Sequence, residues 1–166
     1  MQKYCLLKYC LLPAMTVLLL CGCNKDKLDG ENLKVPRLMV ETRGVNYGAL
    51  GGPVVQLPVS GTRIALAKEP MVSEFDIANV ELVKVDMGLA LLIQTTERGA
   101  RALYRGTATN QGGRVVLTVN NNAIGARRVN DPIQNGNFYT FVEIHDDELG
   151  QLVLDMKESI KQLQKL

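Results

Sequence analysis

Apolar and polar positions alternate in short runs along most of this chain, and two stretches switch to a helical period. Residues 37–43 alternate as a strand does, with Leu38 and Val40 on one face. Residues 44–52 form a glycine-rich loop. Residues 53–59 and 62–67 flank Ser60-Gly61, a tight-hairpin sequence, and Pro58 places its strand at an edge or bulge. Ser73 with Glu74 and Asp76 opens a short helical turn ending near Asn79. Residues 80–85 and 89–95 read as strands joined at Asp86-Met87-Gly88. The nearly continuous apolar run 89–93 predicts a strand covered on both faces.

The helical period begins after Thr96, an N-cap residue followed by Glu97, where the helix dipole favours negative charge. Ala100, Leu103, Tyr104 and Thr107 then mark one face of a helix over 96–108. Gly112-Gly113 ends it. Residues 114–119 form a β-branched strand, Asn120-Asn121-Asn122 a turn able to adopt left-handed dihedrals, and 123–129 the return strand. Asn135-Gly136 is a further turn, and 137–144 a last strand. Asp146, Asp147 and Glu148 open a final helix over 146–163. In it Leu149, Leu152, Val153, Met156, Ile160 and Leu163 make a long apolar stripe, with Lys157, Lys161 and Lys165 toward its end. The fold class expected is α+β: a mixed, mostly antiparallel sheet carrying two main helices on one face.

The first 22 residues follow a different pattern. Lys3 and Lys8 precede an apolar run over 10–20, interrupted only by Pro13 and Thr16. That run is too short to span a hydrocarbon core, which needs about 20 residues in a helix, and it reads as the h-region of a secretory signal. It ends in Leu20-Cys21-Gly22-Cys23, which resembles the lipobox of bacterial lipoproteins. The resemblance implies cleavage between Gly22 and Cys23, with lipid (palmitate among it) on Cys23. Three parts follow: residues 1–22 as signal peptide, 23–36 as lipidated cysteine and flexible tether, and 37–166 as a single domain. Asn24, with no aspartate beside the cysteine, favours the outer membrane. The expected location is the cell envelope, facing the periplasm or exterior.

Cysteine count agrees with an anchor. The four cysteines are Cys5, Cys10, Cys21 and Cys23, so cleavage leaves one and no intramolecular disulfide. Of 19 Lys and Arg the signal removes two, leaving 17 against 17 Asp and Glu. With no basic stripe, nucleic acid is disfavoured. Tryptophan is absent and aromatics are sparse, which weighs against carbohydrate sites.

Candidate chemistry is thin. The glycine-rich loop lacks the Lys-Ser/Thr of a P-loop and opens no helix. Arg98, Arg101 and Arg105 lie mainly off the apolar helix face and read as a solvated surface. His145 is the only histidine, so nucleophilic catalysis on a histidine base would have to use it. Its neighbours Asp146, Asp147 and Glu148 are accounted for by capping and dipole complementarity at the start of a helix. No second element supplies metal-ligand spacing. No paired carboxylates for glycoside hydrolysis can be singled out among 17 acids. No catalytic residue, metal site, cofactor or binding residue is assigned.

Residues 37–163 resemble the head region of the first periplasmic domain of SecD, the accessory subunit of the protein-export translocase. The most specific stretch is Thr96-Glu97-Arg98-Gly99-Ala100-Arg101-Ala102-Leu103. Thr107, Asn110, Gly112 and the 114–119 strand follow at the family's spacing, and Asn120-Asn121 stands where the family has Asp-Gly. Ile133, Asn135 and Gly136 fit its Ile-x-Gly-Gly segment, Asp147-Glu148 the acidic start of its last helix, and Lys68-Glu69-Pro70 with Asp76-Ile77 an earlier stretch. Two positions depart: Arg127 replaces a proline usual in the return strand, and Asn135 the first paired glycine. No stretch reads as a transmembrane helix, so the proton-driven part of SecD has no counterpart. The resemblance implies a fold and contact with polypeptides, not a motor. The leading expectation is a non-enzymatic, membrane-anchored envelope lipoprotein whose domain binds polypeptides, with a link to protein export. Strand addition at a sheet edge is one mode. Two alternatives stand beside it: a structural lipoprotein without a dedicated ligand, and a hydrolase using His145.

Overall fold

Residues 33–42 and 52–165 are described by the computed structural model. Their elements run β1 (Pro36–Val40), β2 (Val54–Gln56), β3 (Arg63–Ala65), a 3-10 turn (Glu74–Asp76), β4 (Ile77–Val85), β5 (Gly88–Thr95), α1 (Glu97–Thr109), β6 (Arg114–Val119), β7 (Asn122–Arg128), β8 (Asn137–Thr140) and α2 (Asp146–Leu163). The class is α+β. The strands form three sheets, ordered β1-β6-β7, β4-β5-β8 and β2-β3, and the pairings within them are antiparallel.

Strand alternation builds the layers. On β6, Val115, Leu117 and Val119 join one core, while Val116 joins another on the opposite face. The larger core gathers Leu103 of α1 and Val153, Met156 and Ile160 of α2 against Val80, Leu91, Ile93 and Phe138. The smaller core places Leu57, Ile64 and Leu66 of the β2–β3 hairpin on Met39 and Val116. Strands of three residues do not stand alone in water; this apolar face holds the hairpin in place. Ala90 to Ile93 are all buried, as the continuous apolar run of β5 predicts.

Several boundaries differ from those the sequence predicts. Tyr104 is exposed, and the inward face of α1 is instead Gly99, Leu103 and Thr107, one position round the helix. The turn between β6 and β7 is two residues long. Asn120 (φ 49°) and Asn121 (φ 67°) take the left-handed region, and Asn122 already pairs with Val119. The hairpin loop after β2 is wider than Ser60-Gly61, because Leu57 N–H reaches the Thr62 carbonyl at 3.0 Å. β8 stops at Thr140, four residues early. There the chain leaves β5 so that Glu143 N–H can donate to the Ile124 carbonyl at 2.7 Å.

The expected tether also ends sooner than residue 36. Asn120 Oδ1 accepts from Val35 N–H at 2.8 Å and its Nδ2 donates to the Leu33 carbonyl at 2.8 Å. Lys34 N–H donates to Ser159 Oγ on α2 at 2.7 Å. Residues 33–35 are therefore bonded between the β6–β7 turn and α2, and Pro36 begins a strand. Residues 23–32 of the tether, the signal peptide, Gly22 and Cys23 lie outside the described residues, as do Arg43 and residues 44–51 of the glycine-rich loop. Among the described residues no helix is long and apolar enough to cross a membrane.

Candidate functional site

A groove with a mainly apolar lining lies where two sheets face each other edge to edge. Hydrogen-bond alternation fixes which backbone groups look into it. Val129 N–H donates to the Gly113 carbonyl at 2.8 Å, so Val129 and Arg127 face β6, while Ala126 and Arg128 face away. The Arg114 carbonyl, opposite Arg128, accordingly turns the other way to receive Glu41 N–H at 2.9 Å. On the second sheet, Thr95 N–H donates to the Gly136 carbonyl at 3.0 Å. By the same two-residue rhythm, Phe138 and Thr140 face β5, and Asn137 and Tyr139 face outward.

These two outward edges, β7 and β8, run side by side and antiparallel, and meet only at one end. Glu143 N–H bonds the Ile124 carbonyl there, and a Cβ on Gly125 would collide with the Phe141 carbonyl oxygen. That contact requires glycine because of the neighbouring strand, not because of its dihedrals. Toward Arg128 the edges part, leaving a groove of about 500 Å³ lined by Val85, Ala90, Ala126, Arg128, Tyr139 and Phe141. It continues into a second depression of similar volume beneath residues 129–135. Tyr139 is 38% exposed and Phe141 44%, so both aromatics offer open surface.

Arg127 crosses the gap. Its Nη1 donates to the Tyr139 carbonyl at 3.1 Å, where a neighbouring strand would supply a backbone N–H. Among the described residues neither Arg127 nor Arg128 lies within ion-pair distance of a carboxylate.

The other charged groups are structural. Arg37 grips Glu74 through two bonds, 2.7 and 2.8 Å, and holds that carboxyl below its ordinary value. Arg98 at 2.7 Å, with the Ser73 hydroxyl at 2.8 Å, does the same for the buried Asp76, against the opposing effect of burial. Arg114 pairs with Glu41 at 2.6 Å. Arg101 reaches Glu97 one turn away at 3.7 Å, and Arg105 points to solvent. The three arginines of α1 thus form no common site.

Glu143 binds the turn after β2 through Val59 N–H at 2.9 Å and Ser60 N–H at 2.8 Å. Burial raises its carboxyl, but these donors outweigh it and leave the group lowered.

His145 sits at the N-cap of α2. Its carbonyl accepts from Glu148 N–H at 3.0 Å, and its ring makes no capping bond. The acids of the first turn are present as expected, while side-chain capping is not. Asp146, Asp147 and Glu148 are all exposed, and His145 does not line the groove. Among the described residues no three His, Cys, Asp or Glu side chains converge as metal ligands would.

Sequence reasoning assigned no binding residue, and the groove supplies what it missed. The available signals were the Arg127-Arg128 pair closing a β-branched hairpin, and Tyr139 and Phe141 at alternate positions beyond Asn135-Gly136.

No family model matches this chain, and no curated protein matches it. Solved structures do share its fold. One is described as "Structure and function of a membrane component SecDF that enhances protein export". It matches with a TM-score of 0.56 at 14% identity, over 75% of this chain and 62% of that one. Another, SecDF in its super-membrane-facing form, matches with a TM-score of 0.57 at 14% identity, over 75% of this chain and 18% of that one. This chain therefore spans less than two thirds of the SecDF chains it matches. At such identity the likeness is one of fold. It agrees with the fold that residues 96–119 and 133–148 imply through their resemblance to SecD.

Proposed function

We propose that this chain is a lipoprotein of the bacterial envelope, held to a membrane by lipid on Cys23, whose α+β domain binds polypeptides without catalysis and serves protein export. One observation carries the reading: on a fold shared with SecDF, two unpaired strand edges face one groove with exposed aromatic side chains. Main-chain groups on an open edge recognise an extended chain of almost any sequence, which suits a partner of varied composition. Several acyl chains on one cysteine hold a domain stably, whereas a single chain does not. SecDF, by its description, enhances protein export, and a domain of the same fold placed at the membrane surface would meet chains as they emerge.

The test uses the full chain in its host. A photo-crosslinking residue at position 141, beside the groove, is expected to trap exported polypeptides reproducibly. The same residue at exposed position 105 on α1 is expected to trap none. Mass spectrometry of the mature protein should find acylated Cys23 at its start. An unmodified N-terminus beyond position 23, or equal crosslinking from both positions, would remove the proposal.

A further inference from the structure

The geometry points to the β7–β8 gap as a receptor for one extended strand that carries carboxylates, with Arg127 as a placeholder the strand displaces. This rests on the polypeptide-binding reading and adds the site, the partner's chemistry and the event at its centre.

Edge strands are hazards because their N–H and C=O groups template pairing with other chains, and proteins usually cover them. Here two edges face each other and are joined at one end only. On β7 the main-chain groups of Ala126 and Arg128 look into the groove. On β8 those of Asn137 and Tyr139 look back. Two of these β8 positions are occupied by substitutes for a strand. Asn137 N–H donates to its neighbour Asn135 Oδ1 at 3.1 Å, and the Tyr139 carbonyl accepts from Arg127 Nη1 at 3.1 Å. Both substitutes are exposed side chains and exchange readily for a peptide's own groups.

Charge selects the occupant. Arg127 and Arg128 stand at the open end with no carboxylate in ion-pair distance among the described residues. Asp131, in the adjoining depression, lies beyond that distance from both. A strand that takes over the Tyr139 carbonyl frees the Arg127 guanidinium beside it. A carboxylate on that strand then receives a charge-assisted bond in place of a neutral one. Tyr139, Phe141 and Val85 give its alternate side chains an apolar wall. The occupant is therefore an extended segment in which acidic and apolar residues alternate. Proline at position 127, the residue usual in the SecD-type strand, would have no side-chain donor to offer, so the device belongs to this chain's own sequence.

The experiment measures fluorescence anisotropy of the full-length chain in detergent with three labelled peptides. One alternates Glu with Val and Thr, one has Lys in place of Glu, and one is the Glu peptide with N-methyl groups along one edge. The Glu peptide is expected to bind, the Lys peptide about three- to tenfold more weakly, and the N-methylated peptide not at all. Arg127→Gln with Arg128→Gln should erase the preference for Glu over Lys while the melting temperature stays put. Hydrogen exchange should slow at 126–128 and 137–141 on binding. Equal affinity for the N-methylated peptide, protection elsewhere, or protection of these amides by a second copy of the chain without peptide would overturn the inference. Crosslinking of exported chains from position 141 without slowed exchange at 126–128 and 137–141 would sink the gap alone. Loss of crosslinking in the unaltered protein would sink the polypeptide-binding reading itself.

Discussion

Two glycines of α1 give opposite predictions from one substitution. Gly99 and Gly106 both lie inside Glu97–Thr109, where alanine is favoured over glycine by about 1 kcal/mol on helix propensity alone. A Cβ at Gly99 would stand 2.5 Å from the Asp76 carbonyl oxygen and 2.8 Å from Thr95 Cβ. Neither can yield. The Asp76 carbonyl accepts Thr96 N–H at 2.9 Å, and the Asp76 carboxylate is held by Arg98 and Ser73. Overpacking against fixed atoms costs about 1–3 kcal/mol, which outweighs the propensity gain, so Gly99→Ala should lose up to about 2 kcal/mol net. A Cβ at Gly106 would instead meet Met71 Sδ and Cγ, the far end of an unbranched side chain that can turn away. Gly106→Ala should therefore be neutral or gain up to about 1 kcal/mol. For a domain of this size each kcal/mol moves the melting temperature by about 3–5 °C. Urea unfolding followed by circular dichroism checks both, with midpoints compared at unchanged slope. Equal losses in the two variants, or a stable Gly99→Ala, would refute the distinction between a backbone wall and a side-chain tip.

Three further outcomes follow from single side chains. Thr107, fully buried, donates to the Leu103 carbonyl at 2.7 Å and accepts from Ile133 N–H at 3.0 Å. Thr107→Val keeps its shape and strands that N–H, which should cost about 1–2 kcal/mol in denaturant unfolding and speed hydrogen exchange at Ile133. Asp76 has its carboxyl lowered in the folded state. Its contribution is thus fully present above the unfolded value near 4 and disappears as pH falls through the lower folded value. Asp76→Asn should flatten the acid limb of a stability–pH curve below about pH 4, and an unchanged limb would remove Arg98–Asp76 from the explanation. His145→Ala should shift stability by less than about 0.5 kcal/mol and leave polypeptide crosslinking intact, since the ring makes no capping bond.

How much was legible depends on whether a residue's neighbours were near in sequence. The Thr96 cap is local: its Oγ1 accepts from Gly99 N–H at 3.2 Å, as the Thr-Glu-x-Gly order implies. The asparagine turn is local too, since left-handed backbone at Asn120 and Asn121 needs only those two residues. Tyr104 fits the period of the apolar face yet lies exposed, while Gly99 and Gly106, carrying no apolar signal, face inward. The same blindness hid the hold on residues 33–35, whose partners Asn120 and Ser159 are 85 to 125 positions distant. It also hid the groove, because an open strand edge is a property of what fails to pair.

The parting of β7 from β8 has a cause in the connection between them. A two-residue turn would zip the strands together, but residues 129–136 are tied elsewhere. Val129 is bonded to Gly113 at the foot of β6, Ile133 to Thr107 on α1, and Gly136 to Thr95 at the end of β5. Each tie draws the connection toward α1 and the neighbouring sheets, and none draws the two edges toward each other. At the far end the opposite holds. Gly125 lets the Phe141 carbonyl come within contact, and Glu143 is committed both to Ile124 and to the turn at Val59 and Ser60. One end is thus stapled and the other held open by packing that the core cannot relax without losing buried bonds. A gap maintained in this way keeps its width with nothing inside it, which is the preorganisation an edge needs to receive a strand at small cost in ordering.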